Sequence, residues 1–303
     1  MSFIATLSKL AIYGAAFVAV TLSSGLVVLY FTQNYIIYMN NFPKDARSTV
    51  SRPSVYGLPY ENVTLVTEDE VVIFSYFIYN PKSPSSHTVV MCHGNAGNMG
   101  TRIPLASQFY EMGYNVVLWS YRGYGANTGR PSEKGIKLDV AALLAALKEH
   151  QVLSKTQFVL YGQSIGGAVA CHMASVEPKM FRAIVLENTF LSIQDMIPAT
   201  FPLLSRFSYL CHEKWNSKAL VPSFKMPALF LAGMKDEIVP PEQTRALYDL
   251  CGSPYKSFYG FPGFGHNDTC TSGDYWEKID KFLKESLSLP SDGLNEKTAA
   301  IAA

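Results

Sequence analysis

Apolar positions follow three rhythms along this chain. From Leu10 to Phe31 they form one nearly unbroken run, LAIYGAAFVAVTLSSGLVVLYF, and no charged residue lies between Lys9 and Lys44. As a helix rising about 1.5 Å per residue, this run covers roughly 33 Å, the hydrocarbon thickness of a bilayer. Tyr30, Phe31, Tyr35 and Tyr38 follow it as an aromatic girdle suited to a membrane-water boundary. The run is longer than the core of a cleaved signal peptide, so the pattern predicts an uncleaved, single-pass anchor.

Beyond Tyr60 the pattern alternates short β-rich runs with helical periodicity, the order that builds a mostly parallel sheet flanked by helices. Eight strands are expected, over Asn62–Val66, Val71–Tyr79, Thr88–Met91, Asn115–Ser120, Phe158–Tyr161, Ala183–Leu186, Ala228–Ala232 and Tyr255–Tyr259. Helices are expected over Ile103–Glu111, Gly135–His150, Gly166–Ser175, Pro241–Leu250 and Tyr275–Leu287. Runs such as TVVM, VVLW, FVLY and ALFLA have no polar face, as strands buried on both sides require.

The third rhythm is polar and punctuated. Pro43, Pro53 and Pro59 interrupt a stretch of scattered polar residues that reads as an extended linker, and residues beyond Pro290 lack periodicity. The expected organisation is therefore an N-terminal flank at 1–9, an anchor at 10–31, a linker at 32–59, one α/β domain at 60–289 and a loose tail at 290–303. A lid at about 188–222 carries Phe190, Phe201, Leu203, Leu204, Phe207, Leu210 and Trp215, enough apolar surface either to hold an acyl chain or to pack the lid down.

Composition narrows the function. The chain is 48% hydrophobic and 16% charged, with a net charge of +1 and no basic block, which argues against nucleic acid as a partner. Its five cysteines are widely spaced and never paired as C-x-x-C, fitting neither a disulfide framework nor a zinc site.

Candidate chemistry centres on Gly162-Gln163-Ser164-Ile165-Gly166-Gly167, between the strand FVLY and a helix of small residues. Glycines around a serine permit the sharp strand-to-helix turn that lifts a nucleophilic hydroxyl above the sheet. A serine needs a base and an orienting carboxylate. Asp236, just after the strand ALFLA, is the expected acid, with Glu187 in reserve. His266, in a glycine-rich loop after the last strand, is the expected base and completes the chain order Ser, Asp, His. After TVVM, the turn His93-Gly94-Asn95 can aim backbone N-H groups at a developing oxyanion, joined by the amide of Ile165. His93 is expected to stabilise that loop; Tyr121, Arg122 and Tyr124, after the fourth strand, either shape the pocket floor or brace the loop, with bracing favoured.

The stretches CHGNAGNMGTRIP, YRGYGANTGRPSEKG, GQSIGGAVA, MKDEIVP and GHND, together with the apolar N-terminus, resemble the α/β-hydrolase superfamily. The similarity is to its membrane-anchored group, which includes alpha/beta-hydrolase domain-containing protein 13 and its fungal relatives. The resemblance implies the α/β-hydrolase fold, Ser164 as nucleophile, His266 as base, Asp236 as acid and the Asn95 and Ile165 amides as oxyanion donors.

The expected activity is hydrolysis of acyl esters or thioesters through an acyl-enzyme, without metal or organic cofactor. An anchor and an apolar lid favour long acyl chains, on a lipid or on a palmitoylated protein. A non-catalytic membrane scaffold is the rival reading. The expected location is an endomembrane or the plasma membrane. Lys44, Arg47 and Arg52 after the span favour a cytosolic domain, whereas sequons at Asn62 and Asn267 would serve a lumenal one.

Overall fold

A computed structural model describes residues 3–82 and 84–290. The expected tail, beyond Pro290, lies outside the described residues. Eight strands form one sheet: β1 (Tyr60–Val66), β2 (Val72–Ile78), β3 (His87–Cys92), β4 (Asn115–Trp119), β5 (Gln157–Gln163), β6 (Phe181–Glu187), β7 (Ala228–Gly233) and β8 (Lys256–Phe261). Their spatial order is β1-β2-β4-β3-β5-β6-β7-β8. β1 and β2 pair antiparallel, β2 joins β4 antiparallel, and all remaining pairs are parallel.

Among the described residues, eight α-helices accompany the sheet: α1 (Phe3–Ile37), α2 (Ile103–Glu111), α3 (Glu133–Glu149), α4 (Ile165–Val176), α5 (Ile193–Thr200), α6 (Ser217–Leu220), α7 (Pro241–Leu250) and α8 (Tyr275–Ser288). Alternate residues of each strand feed two cores, one on each face. Val90, Cys92 and Leu160 pack with Ile136 and Val140 of α3, Val169 of α4 and Leu247 of α7. Val89, Met91 and Val159 pack with Ile103 and Phe109 of α2 and Ile279 and Leu283 of α8. Both faces are covered, which is why β4 and β7 are buried at every position.

The chain leaves β3 toward β4 on one side, while β5 flanks β3 on the other. Such a switch point opens a crevice beyond the carboxyl ends of the strands, where this architecture places its sites. Both the turn after β3 and the turn after β5 open there.

α1 is apolar and long enough to cross a membrane over Leu7–Ile37. Its Phe17 and Phe31 side chains are exposed, and Thr21 and Thr32 return their hydroxyls to the carbonyls of Phe17 and Val28. Those bonds satisfy polar atoms that lipid would leave unpaired.

The stretch expected as an extended linker, 32–59, differs. α1 continues past Phe31 to Ile37, and the chain after it is docked on the body: Tyr38 and Ala46 are only 2% and 3% exposed. Asn98 Nδ2 donates to the Ala46 and Thr49 carbonyls at 2.8 and 2.9 Å, Asn40 Nδ2 donates to Gly123 O at 2.7 Å, and the Gly97 amide donates to Phe42 O at 2.8 Å. The polar composition that suggested a solvated linker reflects hydrogen bonds to distant parts of the chain.

The expected lid lies between β6 and β7 as α5, a 3-10 run over Pro202–Leu210, and α6. Its apolar residues divide. Phe190 and Trp215 are buried and pack the lid down, whereas Phe201, Leu203 and Phe207 face outward.

Candidate active site

Ser164 occupies the turn from β5 into α4 with φ 56° and ψ −126°, a left-handed conformation that costs a non-glycine residue roughly 1–3 kcal/mol. Three bonds hold it there. The Ser164 amide donates to Glu187 O at 2.9 Å, while its carbonyl accepts from the Gly167 amide at 2.9 Å and from Thr189 Oγ1 at 2.8 Å. The neighbouring glycines are required by space. A Cβ on Gly166 would stand 2.1 Å from Cys92 O, and one on Gly162 would stand 2.4 Å from Gly166 O. Close approach of the elbow to the end of β3 thus brings Ser164 beside the turn at His93.

Asp236 follows β7. Its Oδ1 accepts from the amides of Ile238 and Val239 at 2.9 and 2.8 Å, which leaves Oδ2 to accept from His266 Nδ1 at 2.7 Å. Both groups are buried, with side-chain exposures of 1% for Asp236 and 7% for His266. This bond selects the imidazole tautomer with the proton on Nδ1 and leaves Nε2 as the basic nitrogen. The reserve acid Glu187 is engaged elsewhere. It accepts from the Tyr161 and Tyr275 hydroxyls, and burial raises its pKa.

Two side chains tie the His266 loop to the sheet. Asn188 Nδ2 donates to His266 O at 3.0 Å and to Thr269 Oγ1 at 2.9 Å, while Asn188 Oδ1 accepts from the Gly233 amide at 2.8 Å. Gln163 Nε2 donates to His266 O at 3.2 Å, and its Oε1 accepts from Arg102 at 3.0 Å. The base is therefore attached to the residue preceding Ser164. Ser164 Oγ itself has no hydrogen bond among the described residues, so the contact with His266 Nε2 is not closed in this structure. Neither Asn188 nor Gln163 was singled out by sequence. The polar pair Glu187-Asn188 closing the apolar run AIVL was the available signal, and Glu187 alone drew notice.

The oxyanion side is built differently. Ile165 is the first residue of α4, so its amide has no intrahelical acceptor. The Asn95 amide makes no backbone hydrogen bond outside regular elements among the described residues. Its side chain, in contrast, is fully engaged. Nδ2 donates to Ile37 O at 2.6 Å, and Oδ1 accepts from the Tyr124 hydroxyl at 2.9 Å and the Met39 amide at 3.1 Å. The turn carrying the expected oxyanion donor is thus fastened to the last turn of α1.

His93 supports the same turn. Its ring stacks on Tyr121 at 4.0 Å, Nδ1 contacts Gly94 O at 2.7 Å, Nε2 accepts from the Tyr121 amide at 3.4 Å, and burial lowers its pKa to about 3. The Tyr121 hydroxyl donates to His93 O at 2.8 Å. Arg122 pairs with Asp69 at 2.7 Å and with buried Asp139 at 2.8 Å. Tyr121 and Tyr124 thus hold the His93-Gly94-Asn95 turn, whereas Arg122 ties the segment after β4 to Asp69 and to α3. Among the described residues, no three His, Cys, Asp or Glu side chains gather as a metal site would need.

A family model for the alpha/beta hydrolase fold matches residues 87–209. The chain is 46% identical to protein bem46 of Schizosaccharomyces pombe over 280 residues, covering 90% of this chain and 92% of that one. It is 44% identical to the uncharacterized membrane protein YNL320W of Saccharomyces cerevisiae, covering 86% and 92%. Among solved structures, the esterase Pf2001 of Pyrococcus furiosus superposes with a TM-score of 0.66 at 21% identity, covering 79% of this chain and 95% of that one. That likeness is one of fold.

Proposed function

Because the chain belongs to the α/β-hydrolase family, we propose that it is a membrane-anchored serine hydrolase that cleaves acyl esters or thioesters. The observation that carries this reading is the 2.7 Å bond between His266 and Asp236, at the sheet edge where Ser164 is held in a strained elbow. The contact between Ser164 and His266 is open in this structure, and such contacts commonly tighten only with substrate bound.

His266 Nε2 takes the hydroxyl proton as Ser164 Oγ attacks the acyl carbonyl. Asp236 stabilises the imidazolium, and the amides of Ile165 and Asn95 receive the negative charge on the carbonyl oxygen. The imidazolium returns its proton to the leaving alkoxide or thiolate. Water, activated by the same histidine, then releases the acid. The anchor favours substrates that reside in a bilayer, such as a lipid ester or an acylated membrane protein, at an endomembrane or the plasma membrane.

A fluorophosphonate probe tests the reading. Wild-type protein in detergent is expected to be labelled, and Ser164→Ala to be silent. Folded wild type that resists labelling would leave the scaffold reading instead. A panel of acyl-chain esters and palmitoylated peptides then separates ester from thioester hydrolysis.

A further inference from the structure

No side chain of α5 or of the 3-10 run Pro202–Leu210 is buried. Outward-facing apolar groups concentrate here: Leu203 is 93% exposed, Tyr209 70%, Phe201 45% and Phe207 38%. Large apolar side chains exposed this closely together along one segment of a folded domain mark a contact face.

The chain that follows identifies the occupant. Two residues past Leu210, the His212 ring meets Tyr30 of α1 edge to face with centroids 5.3 Å apart, and the His212 amide donates to Gln33 Oε1 at 3.0 Å. Tyr30 and Gln33 lie where the apolar run of α1 gives way to polar residues, the level at which a spanning helix leaves hydrocarbon. Glu213 and Trp215 continue the contact. Glu213 accepts from Tyr38 OH and, at 3.4 Å, from Asn34 Nδ2, while Trp215 Nε1 donates to Tyr38 OH at 2.9 Å. At no more than 3.8 Å between successive Cα atoms, Tyr209 lies within about 11 Å of His212. Arg206, His212 and Lys214 are exposed around the apolar groups and suit lipid headgroups.

We infer that the lid is a second membrane contact, with Phe201, Leu203, Phe207 and Tyr209 seated in the interfacial layer of the leaflet from which α1 emerges. The inference rests on the anchor reading and deepens it, since substrate would then enter the site from the bilayer rather than from water. The chain that directly follows these apolar residues is fastened to the span through His212, Glu213 and Trp215.

Full-length protein reconstituted into phosphatidylcholine vesicles tests this. A single environment-sensitive dye is attached at Leu203→Cys in a Cys270→Ser background, and brominated phosphatidylcholine serves as quencher. Phe17→Cys, inside the span, and Lys155→Cys, just before β5 at the amino-terminal end of the strands, are reference positions. Blue-shifted emission at 203, with quenching of the same order as at 17 and none at 155, is the expected result. Quenching at 17 but not at 203 would overturn the lid contact while leaving the anchor intact. Absence of quenching at both 17 and 203 would remove the anchor reading and the inference with it.

Discussion

The two sides of Ser164 are supported by different parts of the molecule. The proposed acid-base side stands on strand ends: Asp236 follows β7, His266 follows β8, and Asn188 after β6 links the two loops. The proposed oxyanion side leans also on chain from outside the sheet, since Asn95 is held by Ile37 and Met39 as well as Tyr124, and Asn98 by Ala46 and Thr49. The sheet can therefore position the proposed base without help, whereas the proposed oxyanion turn depends also on how α1 docks.

Perturbations of the two sides should differ in kind as well as in size. The largest loss is expected on the acid-base side, where Asp236→Asn removes the carboxylate that selects the His266 tautomer. It should lower kcat by about 10⁴-fold, measured on a soluble short-chain ester with the melting temperature as a folding control. A fall below tenfold would mean that another group orients the imidazole.

Asn95→Ala probes the other side. The backbone donor survives, but the turn is released from α1, and misplacement on the scale of an ångström costs up to about 100-fold. The loss should appear in kcat with KM little changed. Tyr124→Phe, which removes one of the three bonds to Asn95, should show a smaller loss of the same kind.

Asn188→Ala removes three buried hydrogen bonds within one side chain's reach. At roughly 1 kcal/mol each it should lose about 2–3 kcal/mol of stability, read from urea unfolding midpoints, together with a modest fall in kcat.

A further effect concerns pH. In the folded protein burial holds His93 neutral down to about 3, against an ordinary value near 6.5. The unfolded chain therefore takes up a proton that the folded chain refuses, and stability falls as pH drops from about 6.5 through about 3. His172, lowered to about 4 by burial, acts in the same sense. His93→Gln should flatten the dependence of the unfolding midpoint between pH 6.5 and 4. An unchanged slope would show that the ring does not remain neutral beneath the oxyanion turn.

The sequence by itself determined the apolar span, the eight strands and the Ser164 elbow, because each is written in residues that neighbour one another along the chain. It also placed Asp236 and His266 at strand ends in the right order, and the structure joins them. Tertiary structure alone decided how the stretch after α1 is used. Asn40, Asn95 and Asn98 read equally well as solvated turn residues, and their partners lie 83, 58 and 52 positions away. It likewise decided which lid residues pack and which face outward, since periodicity cannot rank Phe190 above Leu203. Hydropathy records whether a side chain avoids water; only the fold reveals whether protein or membrane is there to cover it.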